Sequence, residues 1–453
     1  MAKSSTLQEL HRENRHTLAL AFPIVAGLVG QMLMGLADTL MVGRVGTVPL
    51  AACGFANTLL SIPLVFGFGV LAGVSVNASH AFGAGKLHLA GESLRGGLAI
   101  SLMMGLLVAL ASHAILRFLP IFGQPAEVNS SAATYLLLCA WSMPAVFVTG
   151  TAKNFCEALA RPWPPFWIML GGVLLNVLLN WILIYGNLGA PAMGLDGAGL
   201  ATLLSRIATM VAMLLYPAME SRLHAAWPTD WTAPGLLPEI QRLLGIGIHS
   251  GGLNLCEVTG FSFGSLMMGW LGVTELAAHQ IAITCAATTF MVPLGIGQAV
   301  SVRVGQARGA GRLGEIRAII HGTLGMTLGI ALLFAVVYLT LGSWIAGWFT
   351  DDPSVQVLTA QLLVLAGVFQ VFDGIQIASS GALRGFGDTK IPFLFGILAY
   401  WVVALPVSHL SAFQFGFGAP GIWIGLVVGL GIAAVALAAR LLAKCSGHPE
   451  TPR

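Results

Sequence analysis

The sequence predicts an all-α membrane protein of twelve transmembrane helices in two pseudo-symmetric six-helix lobes. Three observations predict it: a very apolar composition, an internal duplication and a one-sided distribution of basic residues. Of the 453 residues, 57% are hydrophobic and 9% are charged, and the mean hydropathy is +0.86. Soluble domains carry roughly 25% charged residues, so this chain is not composed for water. Displaced by 226 positions against itself, the run from Gly43 to Ala52 falls over Gly269 to Ala278 without a gap. Gly83-Ala84-Gly85-Lys86 then falls over Gly309-Ala310-Gly311-Arg312, and Pro165-Phe166 over Pro392-Phe393 one residue out of step.

A bilayer core needs about 20 apolar residues per helix, and such runs recur in order along the chain. The first, 17–42, contains Pro23 and Asp38; the second, 48–76, contains Pro63. Gly83-Ala84-Gly85-Lys86 lacks the upstream Gly and trailing Ser or Thr of a phosphate loop and is expected as a tight turn. The third run is 94–116. The fourth, 130–152, contains Pro144 and ends at Lys153 and Glu157, which are spaced for a local ion pair. The fifth, 163–186, carries Asn176 and Asn180 one turn apart, and the sixth, 195–218, carries Thr202 and Arg206. The stretch 219–242 is the one sizeable polar segment and joins an N-terminal lobe, 1–218, to a C-terminal lobe, 243–453. The seventh run, 243–270, holds His249 and Glu257; the eighth, 275–301, holds His279 and Pro293. Runs 318–341, 356–382 (with Asp373), 392–412 (with Pro406) and 420–443 complete the set.

Six spans per half bring both halves in from the same side, so the repeats are expected to be related by an axis along the membrane normal. With this span count the basic residues, from Lys3 to Arg453, all fall on one side except Arg44, Arg117 and Arg206. The positive-inside rule then puts both termini in the cytoplasm of a multi-pass plasma (inner) membrane protein. The net charge of +3 is small and dispersed, which argues against nucleic acid. Six cysteines show no metal-ligand spacing, and no cleavable signal is legible ahead of the first span.

Three acids lie in the wrong solvent: Asp38, Glu257 and Asp373. A charge at mid-bilayer costs about 2.5–3.5 kcal/mol, so each needs a partner, water or a proton. None has a Lys or Arg at i±3 or i±4; those positions hold residues such as Met34, Val42, Leu253, Phe261, Phe369 and Ile377. Either an Arg from another helix pairs with them, or they serve as a cation-coupling site. The repeat offset puts Gly264 opposite Asp38 and Gln31 opposite Glu257, so the duplication kept the scaffold and changed the acids. Asn176, Asn180 and Thr202 are candidates to complete a site around Asp38, or interhelical hydrogen-bonding groups. His249 and His279 are expected to be packed, hydrogen-bonded residues. Pro23, fifteen residues before Asp38, is a candidate hinge. A duplicated half in so apolar a chain points to transport.

Several segments are more specific than composition. They are Asp38-Thr39-Leu40-Met41-Val42-Gly43, Glu257-Val258-Thr259-Gly260-Phe261, Ala277-Ala278-His279-Gln280-Ile281-Ala282 and the run from Pro293 to Gly305. Asp373-Gly374-Ile375-Gln376, followed by Gly381 to Lys390, belongs with them. At these residues the chain resembles the multidrug and toxic compound extrusion (MATE) family, and within it the NorM-like branch. The resemblance implies a V-shaped pair of six-helix lobes, alternating access, and export of organic cations in exchange for H+ or Na+. It implies coupling and substrate binding at Asp38, Asn176, Asn180 and Thr202 in one lobe and at Glu257 and Asp373 in the other. Glu257 and Asp373 would hold a metal ion only if the coupling ion is Na+. Two departures matter: Asn180 stands where some members have an acid, and Phe369 where some have Tyr. The lost oxygens tilt the expectation towards H+.

No cofactor is expected beyond the coupling ion, and no enzyme chemistry, since no nucleophile, base and metal-ligand cluster occurs at membrane depth. Expected partners are small cationic compounds such as dyes and fluoroquinolones, together with membrane lipids, and the chain is expected as a monomer. The alternative is a flippase for a lipid-linked saccharide or other lipid. That reading predicts a basic cavity, whereas the interior offers acids and essentially Arg206 alone.

Overall fold

Each apolar run becomes a helix, because a backbone without water must satisfy its polar groups within its own segment. The computed structural model describes residues 2–228, 230–231 and 234–446, with residues 2–10 by backbone alone; the Lys3 side chain and Arg453 lie outside the described residues. Twelve long helices follow in order: α1 (Ala2–Gly43), α2 (Thr47–Gly83), α3 (Leu87–Leu116), α4 (Ala126–Ala158), α5 (Trp163–Tyr185), α6 (Gly194–Met219), α7 (Leu236–Leu271), α8 (Val273–Gly309), α9 (Leu313–Gly347), α10 (Pro353–Gly385), α11 (Lys390–Gln414) and α12 (Gly418–Ser446). Each predicted span falls on one of them. Most helices outrun their apolar stretch, since the turns continue into polar residues at the ends. Among the described residues, eleven are long and apolar enough to cross a bilayer. The remaining one, α7, has 36 residues but is diluted by His249, Ser250, Asn254 and Glu257. The stretch expected as a linker, 219–242, holds a short 3-10 helix, Ser221–Ala226, and the first turns of α7.

The duplication persists down to single hydrogen bonds. Helices α2 and α8 are each 37 residues long and start 226 residues apart. After α2, Gly85 adopts φ +70° and the Lys86 N–H bonds back to the Ala81 carbonyl at 2.9 Å. After α8, Gly311 adopts φ +70° and the Arg312 N–H bonds back to Ala307 at 2.9 Å. A side chain at either glycine would be strained in that left-handed conformation.

The chain forms two compact units: Met1–Val25 with Gly252–Arg453, and Ala26–Gly251. The two cuts lie 226 residues apart, at equivalent points of the repeat. Helices α1 and α7 each contribute residues to both units. In the Ala26–Gly251 unit, α2 to α6 close around Leu71, Leu94, Leu136, Phe147 and Phe155. In the other unit, Leu362, Leu363, Tyr400, Ile422 and Trp423 form the main core.

Equivalent segments of α1 and α7, ahead of the two cuts, are each held through a glutamate. Glu13, Thr17, Ala21 and Ile24 form one buried stripe of α1. Their repeat equivalents on α7 are Glu239, Leu243, Gly247 and Ser250. Arg303 of α8 donates to the Glu13 carboxylate, to the Glu13 carbonyl at 2.6 Å and to the Thr17 hydroxyl at 2.7 Å. The position equivalent to Arg303 is Asn77 of α2, which reaches Glu239 at 3.5 Å, while the Ser93 hydroxyl donates to Glu239 at 2.8 Å. One clasp is ionic and the other is chiefly neutral. The outer Arg242 reaches Glu239 from solvent at 3.6 Å.

Two helices are not regular. At Ser142, α4 breaks into Ala126–Trp141 and Met143–Ala158, because Pro144 supplies no N–H to the preceding turn. Gly105 of α3 admits the bend: a Cβ there would lie 2.4 Å from the Pro144 Cα. Helix α11 is wound as a π-helix over Ile397–Ala404 and again over Leu410–Gln414. The widened turns seat on a glycine row of α12. A Cβ at Gly429 would meet the Ala399 carbonyl at 2.6 Å, one at Gly425 the Ser408 nitrogen at 2.3 Å, and one at Gly421 the Ala412 nitrogen at 2.6 Å.

Candidate functional site

Polar side chains gather at two places, one in each unit. In the Ala26–Gly251 unit, the buried stripe of α5 is Pro165, Met169, Asn176, Asn180 and Ile184. Helix α6 comes close enough to meet it because Gly172 has no side chain; a Cβ there would lie 2.2 Å from the Thr209 hydroxyl. Asn180 donates to the Asp38 carboxylate at 2.5 Å and to the Asn176 side-chain amide oxygen (Oδ1) at 3.1 Å. The Asn176 amide in turn reaches the Ser205 hydroxyl at 3.4 Å and the Thr202 hydroxyl at 3.5 Å. The expected set of Asp38, Asn176, Asn180 and Thr202 is therefore contiguous, with Ser205 as an added member. The Tyr185 hydroxyl, bonded to the Met41 carbonyl at 2.9 Å, ties the end of α5 to the end of α1.

This cluster is not purely anionic. Arg206, one turn after Thr202, donates to the Ser142 hydroxyl at 2.7 Å, at the break in α4. Its positive charge acts on Asp38 without forming an ion pair. Lys153 and Glu157, at the end of α4, make the expected local pair at 2.9 Å.

In the other unit, α7 brings Glu257, α10 brings Asp373 and α11 brings Tyr400. Asp373 is 2% exposed and Tyr400 is 1% exposed. The two carboxylates repel each other, and the Tyr400 hydroxyl lies beside Glu257. One Asp373 carboxylate oxygen and the Tyr400 hydroxyl are buried with no hydrogen-bond partner. Among the described residues, no ion pair engages Glu257 or Asp373. Aromatic rings wall the group: Phe261 stands edge-on to Phe369 at 5.6 Å and to Tyr400 at 6.0 Å, and Phe369 edge-on to Trp423 at 6.0 Å. One turn before Asp373, Gln370 donates to the Ala286 carbonyl at 2.9 Å and to the Thr289 hydroxyl at 2.6 Å.

His279 is buried and hydrogen-bonded to the Ser265 hydroxyl at 2.9 Å, as a packed residue is, whereas His249 is partly exposed and bonds to the Gly245 carbonyl of its own helix at 2.8 Å. Pro23 lies inside α1, two residues before the cut at Val25. Sequence reasoning missed Tyr400, Ser205 and the reach of Arg206 to Asp38. The chain has only five Tyr, and one in the middle of an apolar run was an available signal.

A carboxylate pair with one member buried and no fixed cation can hold a proton, a small metal ion or a cationic organic group. The pattern of the MatE family matches residues 23–182 and again 252–410, once per repeat. The chain is 37% identical over 434 residues to a protein of Pseudomonas putida named "Probable multidrug resistance protein NorM", covering 94% of this chain and 93% of that one. It is 35% identical over 452 residues to the protein of the same name from Mesorhizobium japonicum, covering 96% and 94%. Among solved structures, a eukaryotic MATE transporter superposes with a TM-score of 0.88 at 21% identity, covering 96% of each chain. A MATE protein in a bent conformation superposes with a TM-score of 0.89 at 20% identity, covering 97% of each.

Proposed function

This chain belongs to the MATE family of transporters, and from that premise we propose that it is a secondary active multidrug exporter. It exchanges organic cations, dyes and fluoroquinolones among them, for H+ or Na+. The observation that carries the coupling is the pair of buried Asp373 and half-buried Glu257, which no ion pair satisfies among the described residues. Asp38, held by Asn180, is the acid of the second site, with Asn176 and Thr202 behind it.

Electrostatics supplies the exchange. With both carboxylates charged, the C-terminal pair attracts a cation of either kind. An inward-moving ion that neutralises one carboxylate weakens the hold on an organic cation, which then leaves. One charge crossing 100 mV yields about 2.3 kcal/mol, close to a fiftyfold gradient. The Arg206 charge beside Asp38 lowers the attraction of that site for a bare metal ion. We therefore assign the metal-ion option, if Na+ is used, to Glu257 and Asp373. The one-sided basic residues support a plasma-membrane protein with both termini in the cytoplasm.

Purified protein in sealed proteoliposomes, given an imposed Na+ or pH gradient and ethidium as reporter, tests the proposal. Ethidium should move against its own gradient under one of the two ion gradients. If neither drives uphill movement, the exchange is disproved.

A further inference from the structure

The Tyr400 hydroxyl is an uncharged oxygen lying within reach of both acids of the pair. Its ring rests on Gly260, where a Cβ would lie 3.4 Å from the Tyr400 Cβ, and against Phe261 at 6.0 Å. These two residues follow Glu257 by one turn of α7, so the packing that seats the ring also sets its tip beside Glu257. The residue lies inside the π-wound stretch of α11, and such windings are frequent at functional sites. Its hydroxyl and one oxygen of Asp373 are both buried and both unbonded. Unbonded oxygens within one buried cluster are unfavourable unless a guest visits them.

We propose that Tyr400 is the third oxygen of the Glu257–Asp373 site and sets how tightly that site holds its ion. The inference rests on the reading of that pair as the coupling acids. With the site empty, the phenol lies beside the Glu257 carboxylate with its hydroxyl unbonded. When a proton sits on the pair, or a monovalent metal ion binds, the same oxygen turns a lone pair inward, since a phenol both donates and accepts. The oxygen absent at Phe369 is thus supplied from α11. The titratable groups acting on Tyr400 are Glu257 and Cys256 of α7 and Asp373 of α10. Helix α12, packed on the same stretch through Gly429, keeps its Arg440 and Lys444 on Asp388.

The test is Tyr400→Phe in proteoliposomes, which keeps the ring and its packing, alongside Glu257→Gln. Ethidium efflux is measured against pH and against Na+ concentration, with thermal unfolding of each variant as a control. Tyr400→Phe should melt like the parent and need about tenfold more driving ion for half-maximal efflux. A midpoint unchanged in both titrations, with Glu257→Gln inactive, overturns the role of Tyr400 and leaves the acid pair standing. Coupled efflux surviving in Glu257→Gln removes the pair and this inference with it. Loss of maximal rate with an unshifted midpoint assigns Tyr400 to packing and also overturns the proposal.

Discussion

Asp38 and Asp373 are both aspartates at membrane depth, yet their surroundings make them different tools. Asp38 has a fixed donor in Asn180 and feels Arg206, whereas Asp373 keeps an unbonded oxygen beside a second carboxylate. A hydrogen bond to a charged group contributes about 1.5–3 kcal/mol. Asn180→Ala should therefore displace the ion dependence of efflux at least about tenfold, and Asn176→Ala by less, since Asn176 acts through Asn180. Ion titration of dye efflux in proteoliposomes reads both, and an Asn180→Ala variant identical to its parent would remove Asp38 from the working set. At this scale the acids were legible because a carboxylate in an apolar run is conspicuous. Tyr400 was not, because no spacing along the chain links residue 400 to residue 257; the link is made by the packing of α11 on Gly260.

Among the elements, α1 and α7 matter most. Each starts in one compact unit, carries its acid in the other, and is clasped ahead of the cut through a glutamate, Glu13 or Glu239. The cut in α7 falls between Gly251 and Gly252, and Pro23 lies just before the cut in α1, so we propose both places as hinges. The clasps differ in strength. Glu13 and Arg303 have side chains 4% and 12% exposed, and removing one partner of a buried pair costs about 3–5 kcal/mol. Asn77, an uncharged donor, reaches the Glu239 carboxylate only at 3.5 Å, the outer limit of a hydrogen bond, and so contributes less than the ionic clasp. Arg303→Met should lower the melting temperature of the detergent-solubilised protein well beyond Asn77→Ala; equal effects would refute the ranking. The spans were readable from hydropathy, and the break in α4 was foreshadowed by Pro144. The π-winding of α11 occupies the turns just before Pro406, which supplies no N–H to them, but the glycine row of α12 on which it seats is not legible in α11's own sequence.

For the whole molecule, duplication has preserved helix lengths and turns while placing different chemistry in the two units. The repeat itself was visible at an offset of 226 residues because glycine turns tolerate little change. The membership of residues 1–25 in the C-terminal unit was not visible, since a continuous helix gives no sign of which neighbours each half will meet. On this ionic asymmetry rests our proposal that the pair without a fixed counter-charge, Glu257 and Asp373, is the seat of coupling. The decisive measurement is uphill ethidium transport by Glu257→Gln and Asp373→Asn in proteoliposomes under an imposed ion gradient. Both variants should lose uphill movement and still equilibrate ethidium downhill. Uphill transport at the parental level in both would contradict the account.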